Sequence, residues 1–348
     1  MRGFWKMLSI VALLMAWPAF GEGTRQDQSD AAAEDPPGSH NELEPLKIEF
    51  GRLSALCLHP SGNLLAGDAE AKEIKVIDPQ GKQVDTFKLA LGPYAIDVAA
   101  DGTIYCGGHD RLAMLDAGGK VLKTTRIVEN TKPARPEQRP RDEPPNDQTQ
   151  HDELEHKRPR RTPRTPRVSG IAVSGDDVFV AFGSGWSLRS KSKLFRFDRQ
   201  LDNSKMIAEG LRGCCQRCDI TASDGVLYVA ENAAFRVTRL DREGNVLSKW
   251  GSRDRKAIEG FGACCNPMNV CFDSDGVLYT AESGPGRVKR YSTDGEFLGL
   301  VGHAGVDRFD RASHFASSCS NIAIAVTGDG KRVYVMDYRN NLVRVLQK

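Results

Sequence analysis

Residues 275–302 read DGVLYTAESGPGRVKRYSTDGEFLGLVG. Asp275-Gly276 suits a tight hairpin turn, because glycine reaches positive φ and aspartate tolerates it. Val277–Ala281 then reads as a strand, Arg287–Tyr291 as a second, and Glu296–Val301 as an outer strand after the turn Ser292-Thr293-Asp294-Gly295. Asn269–Phe272 precedes the first turn, which makes a unit of four short strands.

The same unit recurs on both sides. First strands are expected at Ser54–Leu58, Ala95–Val98, Gly170–Val173, Asp219–Ala222, Asn269–Phe272 and Asn321–Val326. Their turns are Ser61-Gly62, Asp101-Gly102, Gly175-Asp176-Asp177, Asp224-Gly225, Asp275-Gly276 and Asp329-Gly330. Second and third strands follow each turn, as in Val226–Ala230 with Phe235–Leu240 and Arg332–Met336 with Leu342–Leu346. Six four-stranded units, most of them about fifty residues apart, predict an all-β, six-bladed β-propeller with antiparallel blades. A β-sandwich would need two long facing sheets instead of six similar meanders. The last unit stops at Lys348 after its third strand, and Leu46–Phe50 is β-like. That N-terminal segment is expected to complete the last blade and remove a raw sheet edge.

The units resemble the NHL-repeat propeller family. The likeness rests on Glu231…Arg236-Val237, Glu282…Arg287-Val288 and Asp337…Val343-Arg344, and extends from Gly51 to Gln347. It implies the propeller fold. Members of that family include scaffolds and enzymes, among them lyases that release glyoxylate from hydroxyglycine peptides. The metal-binding histidines implied for such a lyase have no match here: His59 sits in a Pro-Ser-Gly turn and His109 in another loop.

At the N-terminus, Arg2 and Lys6 precede an apolar stretch from Leu8 to Phe20, and Ala19-Phe20-Gly21 has the form of a signal-peptidase site. Residues 1–21 are read as a cleaved export peptide, with a retained membrane anchor as the alternative. The expected location is periplasmic or extracellular. Residues 22–44 are acidic, polar and Pro/Gly-containing, and are expected to form a flexible leader ahead of a propeller spanning 45–348. The formal charge of the chain is +2; without Arg2 and Lys6 it is 2 − 2 = 0, which argues against a nucleic-acid binder.

One insertion interrupts the repeats. Residues 130–167 are Pro-rich and charged, with Leu154 almost the only sizeable hydrophobe, so the segment is expected to be disordered. Lys157, Arg158, Arg160, Arg161, Arg164 and Arg167 form a basic block. It suits an acidic partner or a membrane surface, or serves simply as a solvated linker.

The cysteines carry the unusual chemistry. Ten residues before the turn aspartates Asp224, Asp275 and Asp329 stand Cys214, Cys265 and Cys319, so all three hold one position in successive blades. In a propeller that position is the loop leading to the innermost strand, on one face near the central channel. Cys215, Cys218 and Cys264 flank them, whereas Cys57, Cys106 and Cys271 fall inside strands and read as buried structural thiols. Three or four of these thiols converging on one pocket suit copper, zinc or an iron–sulfur cluster; the alternatives are disulfides between neighbouring blades and thiol–disulfide chemistry. The spacing matches no zinc ribbon or ferredoxin run.

Asp68, Glu231, Glu282 and Asp337 end second strands in matching positions and are expected to serve turns and blade contacts. Arg217 is placed to pair with a carboxylate or an anionic ligand, Asn266 and Asn321 to cap loops, and His303 and His314 are candidate imidazole ligands. The expected function is an exported binding scaffold holding a protein or small molecule at one cysteine-rich face. The alternatives are a thiol-ligated redox metalloprotein and a propeller lyase or lactone hydrolase.

Overall fold

A computed structural model describes residues 35–128, 166–183, 191–214, 217–254, 256–263, 265–305 and 322–348. The expected export peptide 1–21 and most of the insertion, residues 130–165, lie outside them.

The first strand, β1, spans Asn41–Leu43. Blade one holds β2 (Leu53–Leu58), β3 (Leu64–Asp68), β4 (Glu73–Ile77) and β5 (Gln83–Lys88). Blade two holds β6 (Ala95–Val98), β7 (Ile104–Gly107), β8 (Arg111–Leu115) and β9 (Val121–Arg126). Blade three runs through β10 (Arg167–Ser174), β11 (Asp177–Gly183), β12 (Ser192–Asp198) and β13 (Lys205–Leu211). Blade four comprises β14 (Ile220–Ser223), β15 (Val226–Glu231), β16 (Arg236–Leu240) and β17 (Val246–Trp250). Blade five comprises β18 (Asn269–Phe272), β19 (Leu278–Glu282), β20 (Arg287–Tyr291) and β21 (Phe297–His303). Blade six has β22 (Ile322–Val326), β23 (Arg332–Asp337) and β24 (Leu342–Gln347), with β1 as its outer strand. Each sheet is a simple antiparallel meander, as the repeat predicts.

The turns are made as the residue types require. Asp224 and Gly225 both take positive φ, 51° and 77°, the mirror-image turn whose twist matches the flanking strands. Between third and fourth strands, an aspartate accepts from backbone amides two and four residues on. Asp78 does so from Gln80 and Lys82, and Asp241 from Glu243 and Asn245.

Second strands are buried on both faces, so they read as continuous apolar runs such as Val178-Phe179-Val180-Ala181-Phe182. Outer strands such as Val121–Arg126 are largely exposed. Apolar side chains fill the wedges between neighbouring blades. Ile74, Phe87, Ile104 and Leu115 lie between blades one and two, and Tyr228, Phe261, Leu278 and Tyr291 between four and five.

Closure differs from expectation in which residues perform it. Asn41↔Gln347, Glu42↔Leu346 and Leu43↔Val345 form the closing ladder, so the leader assigned to 22–44 ends in a strand. Leu46–Phe50 is not a strand. Leu46, Ile48 and Phe50 pack instead against the core between blades six and one, which explains their apolar alternation, and the Leu46 amide donates to the Val343 carbonyl at 2.9 Å. Arg167 likewise leaves the insertion: it begins β10, paired opposite Gly183.

Candidate functional site

The six inner strands surround a cavity of about 350 Å³ at the ring axis. Small or branched apolar residues, among them Ala55, Ile96, Ile171, Ile220 and Ala323, build its walls, but the surface exposed to the cavity is mainly polar. Into this surface project Cys57 from blade one, Asp97 from blade two, Arg217 and Asp219 from blade four, and Asn269 and Cys271 from blade five.

Inner strands of neighbouring blades share no sheet hydrogen bonds, and polar side chains bridge them. Asp97 Oδ2 accepts from the Val173 amide at 2.7 Å, linking blades two and three. Asp219 Oδ2 accepts from the Val270 amide at 2.9 Å and from Asn269 Nδ2 at 2.5 Å, linking four and five. Asn269 Oδ1 then accepts from the Ile324 amide of blade six at 2.8 Å.

These carboxyls have unusual acidity. Burial raises Asp97 to about 6, even though the Val173 amide favours its ionised form. Burial raises Asp219 further, to about 7, and the Asp97 charge adds to the effect while Arg217 opposes it. The Cys57 thiol lies 3.6 Å from Asp97 Oδ1, and burial and that carboxyl together hold it well above the usual thiol range. Cys271 is raised by burial and by Asp219. Cys57 and Cys271 are therefore channel-lining thiols, half-exposed to the cavity, not the wholly buried structural residues expected. Cys106 does match expectation: it is fully buried, and its thiol is pushed up to about 12.

Of the cysteine constellation, Cys214, Cys218 and Cys265 are described, whereas Cys215, Cys264 and Cys319 lie outside the described residues. Cys214 and Cys265 share one apolar cluster with Met268 and Ala233. Cys218 packs in the neighbouring cluster between blades three and four, where burial raises its thiol far above the metal-binding thiolate range. Among the described residues no group of three or more His, Cys, Asp or Glu side chains is arranged to hold a metal ion. His303 approaches Asp35 at 2.8 Å, and His314 lies outside the described residues, as does Asn321.

The four strand-end carboxylates serve the scaffold. Asp68 accepts from the amides of Gly51, Arg52, Glu70 and Ala71; Glu231 accepts from the Arg212 amide, Arg236 and Thr238. Glu282 is fully buried against fully buried Lys289 at 2.5 Å, and it also accepts from the Gly262 amide and Arg287. Asp337 accepts from Asn340 and Arg344. Asn266 caps its loop as expected, donating to the carbonyls of Gly262 and Ser283 and accepting from the Ser283 amide.

Asp97 and Asp219 were not singled out by sequence. The available signal was a carboxylate inside or beside an otherwise apolar inner strand, as in Ala95-Ile96-Asp97-Val98.

No family model matches the chain, and no curated protein matches it either. Solved structures do. The calcium-binding protein regucalcin from Agrobacterium tumefaciens superposes with a TM-score of 0.53 at 15% identity, over 87% of this chain and 92% of that one. A gluconolactonase from Xanthomonas campestris gives 0.55 at 12% identity, over 91% and 98%. A streptogramin B lyase gives 0.53 at 13% identity, over 88% and 97%. At such identities the likeness establishes the fold: this chain is a six-bladed β-propeller similar in architecture to regucalcin and gluconolactonase.

Proposed function

We propose that the chain is a small-molecule enzyme of the propeller lyase or lactone-hydrolase type, with its chemistry in the central channel. One observation carries the reading: Asp97 and Asp219 face one cavity with carboxyls raised to about 6 and about 7. Near neutral pH such a pair supplies one group mostly ionised and another substantially protonated, which general acid–base catalysis requires. In lactone hydrolysis, Asp97 accepts a proton from water as the water oxygen bonds to the lactone carbonyl carbon. The ring C–O bond then breaks, and Asp219 delivers its proton to the departing ring oxygen. Proton exchange with solvent restores both carboxyls. The enzyme neighbours of this fold, a gluconolactonase and a streptogramin lyase, support the choice of class.

The test is turnover of a panel of five- and six-membered lactones by the full chain, followed by pH-stat titration. Hydrolysis that falls at least 100-fold in both Asp97→Asn and Asp219→Asn supports the reading. Hydrolysis unaffected by both substitutions, or no turnover of any lactone and no elimination product from a cyclic depsipeptide ester, overturns it.

A further inference from the structure

Three guanidinium groups converge where the inner strands begin. Arg52 precedes β2, Arg167 opens β10, and Arg217 leads towards β14. Tyr94 stands among them. Arg52 Nη2 donates to its hydroxyl at 2.6 Å, the Arg167 guanidinium lies 4.9 Å from its ring centre, and His109 Nε2 is 3.4 Å from the hydroxyl. Arg217 is only 6% exposed, yet it lines the cavity and reaches the Ser54 carbonyl of the opposite blade at 3.2 Å. Its Nε, like that of Arg52, is buried with no hydrogen-bond partner.

Several other arginines meet carboxylates: Arg236 with Glu231, Arg287 with Asp35 and Glu282, Arg344 with Glu42 and Asp337. Among the described residues neither Arg52 nor Arg217 forms an ion pair. Burial lowers Arg217, and burial with the adjacent Arg217 charge pulls Arg167 down to about 9. Like charges gathered in a desolvated place are unfavourable unless an anion joins them, and planar guanidinium donors suit the two oxygens of a carboxylate. Beyond the arginines the cavity is lined by Ile96, Ile171 and Ile220 and by two acids, Asp97 and Asp219, the latter only two residues past Arg217. A second or third anionic oxygen further down would meet carboxyls, not donors.

We propose that the channel mouth seats the carboxylate of a small molecule on Arg52, Arg167 and Arg217, with the uncharged body of that molecule extending down the channel. This names a substrate class for the channel and rests on the acid pair as the reacting end; the seat itself stands independently of it.

Isothermal titration of the full chain with hexanoate, hexanamide and inorganic phosphate tests the seat. Hexanoate is expected to bind, hexanamide and phosphate at least tenfold more weakly, and Arg52→Met to weaken hexanoate at least tenfold. Arg217→Met is expected to do the same, with circular dichroism confirming its fold; Arg52, half-buried at the rim, keeps the test open if that variant does not fold. Equal binding of hexanamide, equal or tighter binding of phosphate, or unchanged hexanoate affinity in Arg52→Met overturns the proposal. Hexanoate binding retained in Asp97→Asn, in a protein that turns over no lactone, removes the enzymatic reading and leaves the seat intact. Lactone turnover without hexanoate binding does the reverse.

Discussion

Replacing both channel acids should stabilise this protein at pH 8 and leave it almost unchanged at pH 4. The folded carboxyls titrate at about 6 and about 7, against 3.8 for free aspartate. At about 1.4 kcal/mol per tenfold, those differences correspond to roughly 3 and 4 kcal/mol of penalty once both acids are ionised. Water in the channel moderates both figures, so a net gain of about 2–4 kcal/mol is expected for Asp97→Asn/Asp219→Asn at pH 8. The sign follows from proton counting. Between pH 4 and 7 the folded state holds protons that the unfolded chain has released, so stability from these groups is full below pH 4 and is lost as pH rises through 6 and 7. His40, lowered by burial, works in the opposite direction near pH 6.5, so the wild-type curve alone does not isolate the acids. The difference between wild type and double variant does. Asparagine keeps an acceptor for the Val173 and Val270 amides, so the blade links survive the change. Urea unfolding at pH 4, 6 and 8, followed by tryptophan fluorescence, reads the effect. A difference that is constant across that range would refute the acidity assigned to the channel.

If the pair acts as base and acid, kcat/KM for a lactone should follow a bell with limbs near pH 6 and 7, recorded by initial rates across buffers of constant ionic strength. Lys289→Met leaves the buried Glu282 carboxylate with Arg287 as its remaining cation and should cost up to about 3 kcal/mol in thermal or urea unfolding; Lys289→Met/Glu282→Gln should recover a substantial part. Cys106 should resist iodoacetamide at pH 7 in the folded protein and label fully in urea, as read by mass spectrometry of its peptide. Removing residues up to Leu43 uncovers the β24 edge and takes Glu42 from Arg344, so unfolding temperature should fall and light scattering should show association of the truncated chain.

The fold was legible because its signals are local and repeated. Asp-Gly turns, apolar second strands and polar outer strands recur in register, and each reports on its own sheet. Closure was legible only as a need. The alternation in Leu46–Phe50 looks like a strand but comes from packing into the wedge beside blade one, whereas Asn41–Leu43, polar at two of three positions, makes the ladder because an outer strand needs backbone pairing more than apolar burial. The candidate site was less legible for a related reason. Cys214 and Cys265, which share a register position, meet in one apolar cluster, and neither lines the cavity. What faces the axis, however, depends on the phase of each inner strand, and strands of four to six residues give too short an alternation to separate channel side from wedge side. Asp97, Cys57 and Cys271 all turned inward on that basis. Arg217 was flagged for an anion by its neighbourhood, but its convergence with Arg52 and Arg167 joins three blades and is visible only in three dimensions.

The closing ladder also bears on how the ring is made. Five sheets draw all four strands from one contiguous piece of chain, and each can form soon after that piece is available. The sixth must wait for Asn41 to find Gln347, which spans almost the whole polypeptide. Contacts this distant are slow to form, though loop-closure entropy grows only with the logarithm of the span. The strand Asn41–Leu43 therefore stays unmated until the C-terminal hairpin is in place, which makes closure the last step in building the ring.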